Sequence, residues 1–321
     1  MPCRDVGPWR RHHVVAHCAP MTSGHITPGS ILVGVDGSDH AERAVLWAAE
    51  QAVLEKRALV VLHADPFLSR NSSFATAMVD SVELRRQVNE EMEAIASRAS
   101  ATATSHRPIV DVESLVVHSD PREALVDASR HAHMLVVGSR GRGMLRSMLM
   151  GSVSANVARQ AKCPVVVIRP ESGTPTRSGV MVGADGTAES QPVLEFAFRQ
   201  ASWRNLPLTI MHTYFDASAA IAEYRGNIAE GPAAEVRLLL AESVAGLAEK
   251  YPDVPVTRAF SHGLVDECLL STPHEWAMIV VGRHPLGSVT RALSGSVAIT
   301  VLEHSEGVVA IVPEGGPLTT T

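Results

Sequence analysis

VVGSRGRGMLRSMLMGSVSANV, residues Val136 to Val157, opens on apolar residues, closes that run at Gly138, and carries further glycines at 141, 143 and 151. The spacing is G-x-x-G, nine residues, then Gly151-Ser152, with the helical pattern ANVARQA behind it. Closely spaced glycines let a backbone adopt positive φ and approach a ligand with no Cβ in the way. Their N–H groups can turn inward as an anion nest. Gly151-Ser152 at a helix start adds free amides and a hydroxyl, where phosphate oxygens bind well. A strand, a glycine loop and a helix N-terminus in that order read as a nucleotide phosphate site. Most lone G-x-x-G motifs are turns, so the weight of this one comes from its surroundings.

Those surroundings alternate strands with helices. Ile31-Leu32-Val33-Gly34-Val35-Asp36 is a short apolar run ended by Asp36-Gly37-Ser38, a buried strand and its turn. Ser38 or Asp39 caps a helix with Ala44, Val45, Trp47, Ala48 and Ala52 on its apolar stripe. A second strand covers 59–64, a polar loop 65–80 and a long amphipathic helix 82–104. A third strand covers 110–117, a turn His118 to Pro121, and a helix 122–131. The fourth strand, 134–138, leads into the glycine loop and the Ser152 helix, and the fifth covers 164–168. Near-continuous apolar strands alternating with helices predict a parallel sheet covered on both faces. Five such units suit a doubly wound nucleotide fold, with ligands at the strand C-termini. Asp36 and Gly138 both follow strands and belong at that edge.

ESGTPTRS, residues 171–178, is a linker by composition, and the chain beyond it repeats the chain ahead of it. Val180 to Thr187 echoes Ile31 to Ser38, Leu208 to His212 echoes Val60 to His63, Ile279 to Gly282 echoes Leu135 to Gly138, and Val308 to Pro313 echoes Val165 to Pro170. The glycine region maps with one offset, 282 − 138 = 144 and 295 − 151 = 144. Two copies in register imply two similar domains, here residues 29–170 and 178–315, with tails at 1–28 and 316–321. The first tail shows no helical or strand period and reads as disordered, or as a start assigned too early with Met21 as the true one. Its His12, His13, His17, Cys18 and His25 do not have the spacing of a closed zinc site.

Composition narrows the function classes. The 321 residues are 45% apolar and 19% charged, as in an ordinary globular protein of two domains. A net charge of −6 with only 4% aromatics, and no basic stretch interleaved with aromatics, points away from nucleic acid. The apolar runs are short and interrupted by charge, which points away from a membrane span. Cys3, Cys18, Cys163 and Cys268 form no C-x-x-C pair, as expected of a reduced cytoplasmic protein. Cys163 and Cys268 sit in apolar contexts and read as small core residues.

With the first-strand V-D-G-S at 35–38, the G-x-x-G, nine residues, G-S, and the C-P-V-V-V strand at 163–167, the chain resembles a tandem member of the universal stress protein family. The resemblance covers about residues 30 to 313. It implies, for each half, a five-stranded parallel sheet in a Rossmann-like α/β sandwich. It also implies ATP binding where the glycine motif is intact, with or without Mg²⁺, and pairing through the last strand. That pairing would give a homodimer or an intramolecular pseudo-dimer. By motif position, Asp36 and Ala64 would lie against the adenosine, and Val137 and Gly138 near the ribose. Arg140, Gly141, Gly151, Ser152, Val153 and Ser154 would hold the phosphates, and Gly34 and Gly143 are counted as candidate nucleotide-binding residues beside them. The residues alone support the glycines, Ser152 and Asp36, and say nothing independent of Ala64.

The second copy keeps Asp185, Gly282, Gly287, Gly295 and Ser296, but Gly141 becomes Pro285, Arg140 becomes His284 and Ser154 becomes Ala298. Proline has no N–H to offer a phosphate and a fixed φ, so the second site is expected to be weakened or empty; alternatively Gly287 and Gly295 suffice. Blander readings stand beside these. Asp36 can be only a helix cap. Arg140, Arg142 and Arg146 can be a solvated face, and Met144, Met148 and Met150 a packing surface. His63 and His212 end equivalent strands and read as core or rim residues. His118, Asp120 and Ser152 suggest a triad, but no G-x-S-x-G surrounds a serine.

The first function hypothesis is an ATP-binding regulatory protein of stress response. The second is a slow ATP hydrolase; no Walker loop, general base or transfer lysine accompanies the phosphate motif, so no catalytic residue is assigned. The third is a nucleotide-free scaffold acting by dimerisation.

Overall fold

The apolar runs become strands in a single sheet. In this computed structural model the described residues are 13–16, 26–67, 82–141, 150–169, 179–214, 234–271, 276–283 and 297–315. The first copy contains β2 (Ile31–Val35), α1 (Asp39–Glu55), β3 (Leu59–Ala64), α2 (Val82–His106), β4 (Val112–Val117), α3 (Pro121–Ala128), β5 (Met134–Gly138), α4 (Ser152–Gln160) and β6 (Val165–Ile168). The second contains β7 (Val180–Gly183), α5 (Gln191–Arg204), β8 (Leu208–Tyr214), α6 (Ala234–Lys250), β9 (Val256–His262), α7 (Val265–Leu270), β10 (Met278–Arg283), α8 (Val297–His304) and β11 (Val309–Pro313). Within each copy the strands pair in parallel. Among the described residues no helix is long and apolar enough to cross a membrane.

A further strand, β1 (His13–Ala16), pairs in parallel with β4. This corrects the expectation of a structureless tail over 1–28 at those four residues. The run is too short to show a period, and what recruits it is the open edge of β4, a partner about a hundred residues away. The linker 171–178, the tail 316–321, the loop beyond residue 67 and both glycine loops, 142–149 and 284–296, lie outside the described residues.

The sheet order is β1-β4-β3-β2-β5-β6-β11-β10-β7-β8-β9. Each copy reverses direction once, between β2 and β5 and between β7 and β10, and such switch points open a crevice at the strand C-termini. Gly34 is level with Val137 across the β2–β5 pair, so Asp36 and Gly138 emerge at the same edge.

The two copies join where β6 runs antiparallel to β11, Val309 opposite Val167 and Ile311 opposite Val165. A large apolar cluster lies on each face, and each of these two includes residues of both copies: Ile31, Val33, Ala48, Val180 and Phe196 on one, Leu32, Leu135, Val157, Met181 and Val301 on the other. Helix α1 starts at Ser38, whose side chain accepts from Ala41 N, and ends at Lys56 with φ 53°. Its stripe of small residues, Ala41, Ala44, Ala48, Ala49 and Ala52, lets it lie close on the sheet.

Polar contacts cross the join on both faces. Arg204, at the end of α5, donates to Gln51 Oε1 at 2.6 Å and to Gln200 Oε1 at 2.6 Å and stacks 5.1 Å from the Trp47 ring. Gln51 in turn donates to Glu55, whose side chain is 1% exposed and meets Arg57 and His133. Burial pushes the Glu55 carboxyl up, but His133 and Gln51 outweigh it and leave it below the usual range. On the other face Arg169 reaches the Leu302 and Glu303 carbonyls at the end of α8. Arg283 reaches those of Ala158 and Ala161 at the end of α4. Cations at helix C-termini complement the macrodipole.

Candidate functional site

The edge between β2 and β5 opens into a cleft of about 430 Å³. Gly34, Asp36, Ala64, Val137, Gly138, Arg140, Gly141, Gly151, Ser152, Val153 and Ser154 all line it. Gly143 lies outside the described residues. Sequence reasoning missed the opposite wall, Pro121 and Leu125 of α3. They stand i, i+4 on one helix face, a spacing the sequence shows, but which strand end they face depends on the fold.

Several glycines sit at close approaches, and Gly138 has backbone against it. A Cβ on Gly138 would stand 2.7 Å from the backbone of His40, and one on Gly141 would stand 2.6 Å from Asp36 Oδ2. Gly34 passes under Leu125, whose methyl carbons come within 3.0–3.1 Å of where its Cβ would be. Asp36 has two roles. Its Oδ1 accepts from Ser38 N at 3.0 Å and Ser38 Oγ at 2.7 Å, which builds the turn around Gly37 at φ 79°. Its Oδ2 faces Gly141 at the cleft.

The helix α4 begins at Gly151 with no side chain capping its first turn, so its leading amides are presented to the cleft. Ser154 is buried and its Oγ donates to the Gly138 carbonyl at 2.7 Å, so it ties the strand end to the helix as well as lining the site. Arg140 Nε is buried and has no hydrogen-bond partner among the described residues. Burial first, then the cations of Arg43 and Arg140, hold His40 below the ordinary imidazole value.

His63 is a strut: its Nδ1 lies 2.7 Å from the Val35 carbonyl, which can only accept, so the ring donates from Nδ1. His212 repeats this with the Ala184 carbonyl at 2.9 Å. Asp120 caps α3 and accepts from the Arg122 backbone and guanidinium at 2.6–2.9 Å, so it is committed to its own helix rather than to orienting a catalytic histidine. The Arg122 guanidinium beside it holds its carboxyl low. Burial pushes the Cys163 thiol up to about 12, which makes it inert.

The second copy has its own cavity, about 190 Å³, which includes Asp185 and Gly282. Asp185 builds the same turn, accepting from Thr187 N at 2.9 Å and Oγ1 at 2.8 Å, with Gly186 at φ 80°. Gly295 and Ser296, with His284 and Pro285, lie outside the described residues. Glu314 and Arg283 line this cavity, and so do Ala158 and Arg159 from α4 of the first copy.

The sequence model of the universal stress protein family matches the chain twice, over residues 29–169 and 177–313. A universal stress protein of Mycobacterium tuberculosis is 34% identical over 290 residues, covering 88% of this chain and 96% of the relative. A relative named as a universal stress protein from Mycolicibacterium smegmatis is 32% identical over 304 residues, covering 89% and 97%. The crystal structure of a universal stress protein from Archaeoglobus fulgidus superposes with a TM-score of 0.65 at 18% identity, covering 89% of this chain and 96% of that one; it shares the fold. The chain therefore belongs to the universal stress protein family and carries two copies of its domain.

Proposed function

We propose that this chain is an ATP-binding regulatory protein that holds nucleotide in the cleft of its first unit, residues 29–170. Its second unit, residues 178–315, binds nucleotide weakly or not at all. The observation that carries the reading is Arg140 Nε, a buried donor with no acceptor among the described residues, beside a glycine-lined path and the uncapped start of α4. A phosphate group supplies what that donor lacks, and the apolar wall of Val137, Leu125 and Leu62 suits a nucleoside. The antiparallel β6–β11 join supports pseudo-dimeric pairing of the units. The free, buried Cys163 and Cys268 fit a reducing compartment such as the cytoplasm.

The test is to denature natively purified protein and identify and count the released nucleotide. About one adenine nucleotide per chain is expected by this reading. Gly141→Ala, which drives a methyl against Asp36, should lower affinity by at least about tenfold with an unchanged circular dichroism spectrum. Protein that releases none and takes up none when ATP is added would instead be a nucleotide-free scaffold. Rapid turnover of ATP would replace the binding role with a catalytic one.

A further inference from the structure

The helices α1 and α5 occupy equivalent places in the two copies and meet across the join. Lys56 and Asn205 end them in the same left-handed turn, at φ 53° and 52°, which fixes the correspondence at 205 − 56 = 149. By that offset Gln51 answers to Gln200 and Trp47 to Phe196, and both glutamines are fully buried. The charges do not correspond. Glu50 of the first copy becomes Arg199 in the second, and Glu55 becomes Arg204. The neighbours have changed with them. Arg57 and His133, the cations that hold Glu55, stand where the second copy has Leu206 (206 − 57 = 149) and Ala277 (277 − 133 = 144).

These opposite charges face one another. Arg204 donates to Gln51 Oε1 at 2.6 Å, and Gln51 donates in turn to Glu55. Burial lowers the Arg204 pKa, and Glu50 and Glu55 both oppose that shift from across the join. Arg199 is among the groups that keep Glu55 ionised. It stands over the Phe196 and Trp203 rings at 5.7 and 5.4 Å, and its buried Nε and Nη2 have no hydrogen-bond partner among the described residues. Its tie to the first copy is therefore one of charge. Within its own copy Glu50 also accepts from His106 and Arg107, so Glu55 is the carboxylate that depends more on what lies opposite. A join of like with like would set carboxylates against carboxylates, or four guanidiniums together, in a partly desolvated setting where repulsion is poorly screened.

We propose that the α1–α5 seam selects its partner by charge: the acidic face of the first unit, Glu50 and Glu55, fits a unit that carries Arg199 and Arg204, so that each unit pairs with its unlike and not with its own kind. The β6–β11 ladder cannot make this choice, because backbone hydrogen bonds and the valines of both strands would serve either pairing. The inference does not depend on what the cleft of the first unit binds.

The experiment is urea unfolding of the full chain near neutral pH. Arg199→Glu gives the second copy the residue that the first copy has at position 50, and so recreates like against like. Arg199→Met removes the charge and keeps an unbranched side chain of good helix propensity. The unfolding constant of Arg199→Glu should exceed that of Arg199→Met by at least about fivefold. In a Glu55→Gln background the gap should fall to about twofold or less, the remainder coming from Glu195, one turn back on the same helix. In a Glu195→Gln background the gap should stay above about threefold, and this background decides alone if Glu55→Gln does not fold. Equal constants for Arg199→Glu and Arg199→Met would overturn the inference. So would a gap that disappears with Glu195→Gln, or one that Glu55→Gln leaves undiminished.

Discussion

A methyl group at Gly141 would stand 2.6 Å from the Asp36 carboxylate, so any side chain there makes that carboxylate, tied to Ser38, give way. In the second copy the same position is Pro285, and that loss is plain in the sequence because it changes the residue type of a motif. Glu314 is not plain in that way. It lies outside every motif and faces Gly282 only because β10 and β11 pair. Its effect on stability has a definite sign. The unfolded carboxyl titrates near 4.5 and the folded one near 7. Between those values the folded chain holds a proton that the unfolded chain has released. Stability from this group is therefore greatest below its unfolded value and falls as pH rises through about 7. Glu314→Gln should raise the melting temperature at about pH 8 and change it little near pH 5. An equal rise at both pH values would mean that the gain comes from packing and not from charge.

At the level of the element, the apolar runs located β2, β3, β5 and β6 well, because a strand buried on both faces needs little beyond branched and apolar residues in a row. β1 escaped notice, since its four residues become a strand only through a remote partner. The start of α5 was hidden for another reason. A 3-10 turn at Ala188–Ser190 precedes it, where α1 begins directly after Ser38, although the two sequences look alike. The contact of α5 with α1 is the least legible feature: Arg204 and Gln51 are 153 residues apart. Arg204 is buried enough that desolvation lowers its pKa to about 10. Arg204→Ala leaves two buried amide oxygens without their donor and should cost about 2–4 kcal/mol in urea unfolding. Combining Arg204→Met with Gln200→Leu should recover part of that, since Gln200 then leaves no orphan, whereas Gln51 is kept because it also donates to the buried Glu55. A single substitution costing under about 0.5 kcal/mol would show that these contacts are too solvated to matter.

For the whole molecule, the repeat was legible from constant offsets, whereas its consequence for the sheet was not. Two five-stranded halves become one sheet with shared cores on both faces. Because the halves belong to one chain, their pairing is intramolecular and its strength does not depend on dilution. Ligand-free protein should therefore unfold in one transition, with a midpoint that stays constant over a roughly hundredfold range of concentration. Two separated transitions, or a midpoint that climbs with concentration, would show that the halves are independent or that chains pair with one another.

The helix α4 has nine residues and is about 13 Å long. Its first turn borders the cleft of one copy, while its last turn, clasped by Arg283, borders the cavity of the other. It is a party wall: opposite ends of the same nine residues line the two cavities. Affinities measured one cavity at a time then describe each cavity with its neighbour vacant. Where filling one changes the grip of the other, it must do so by the same factor in both directions.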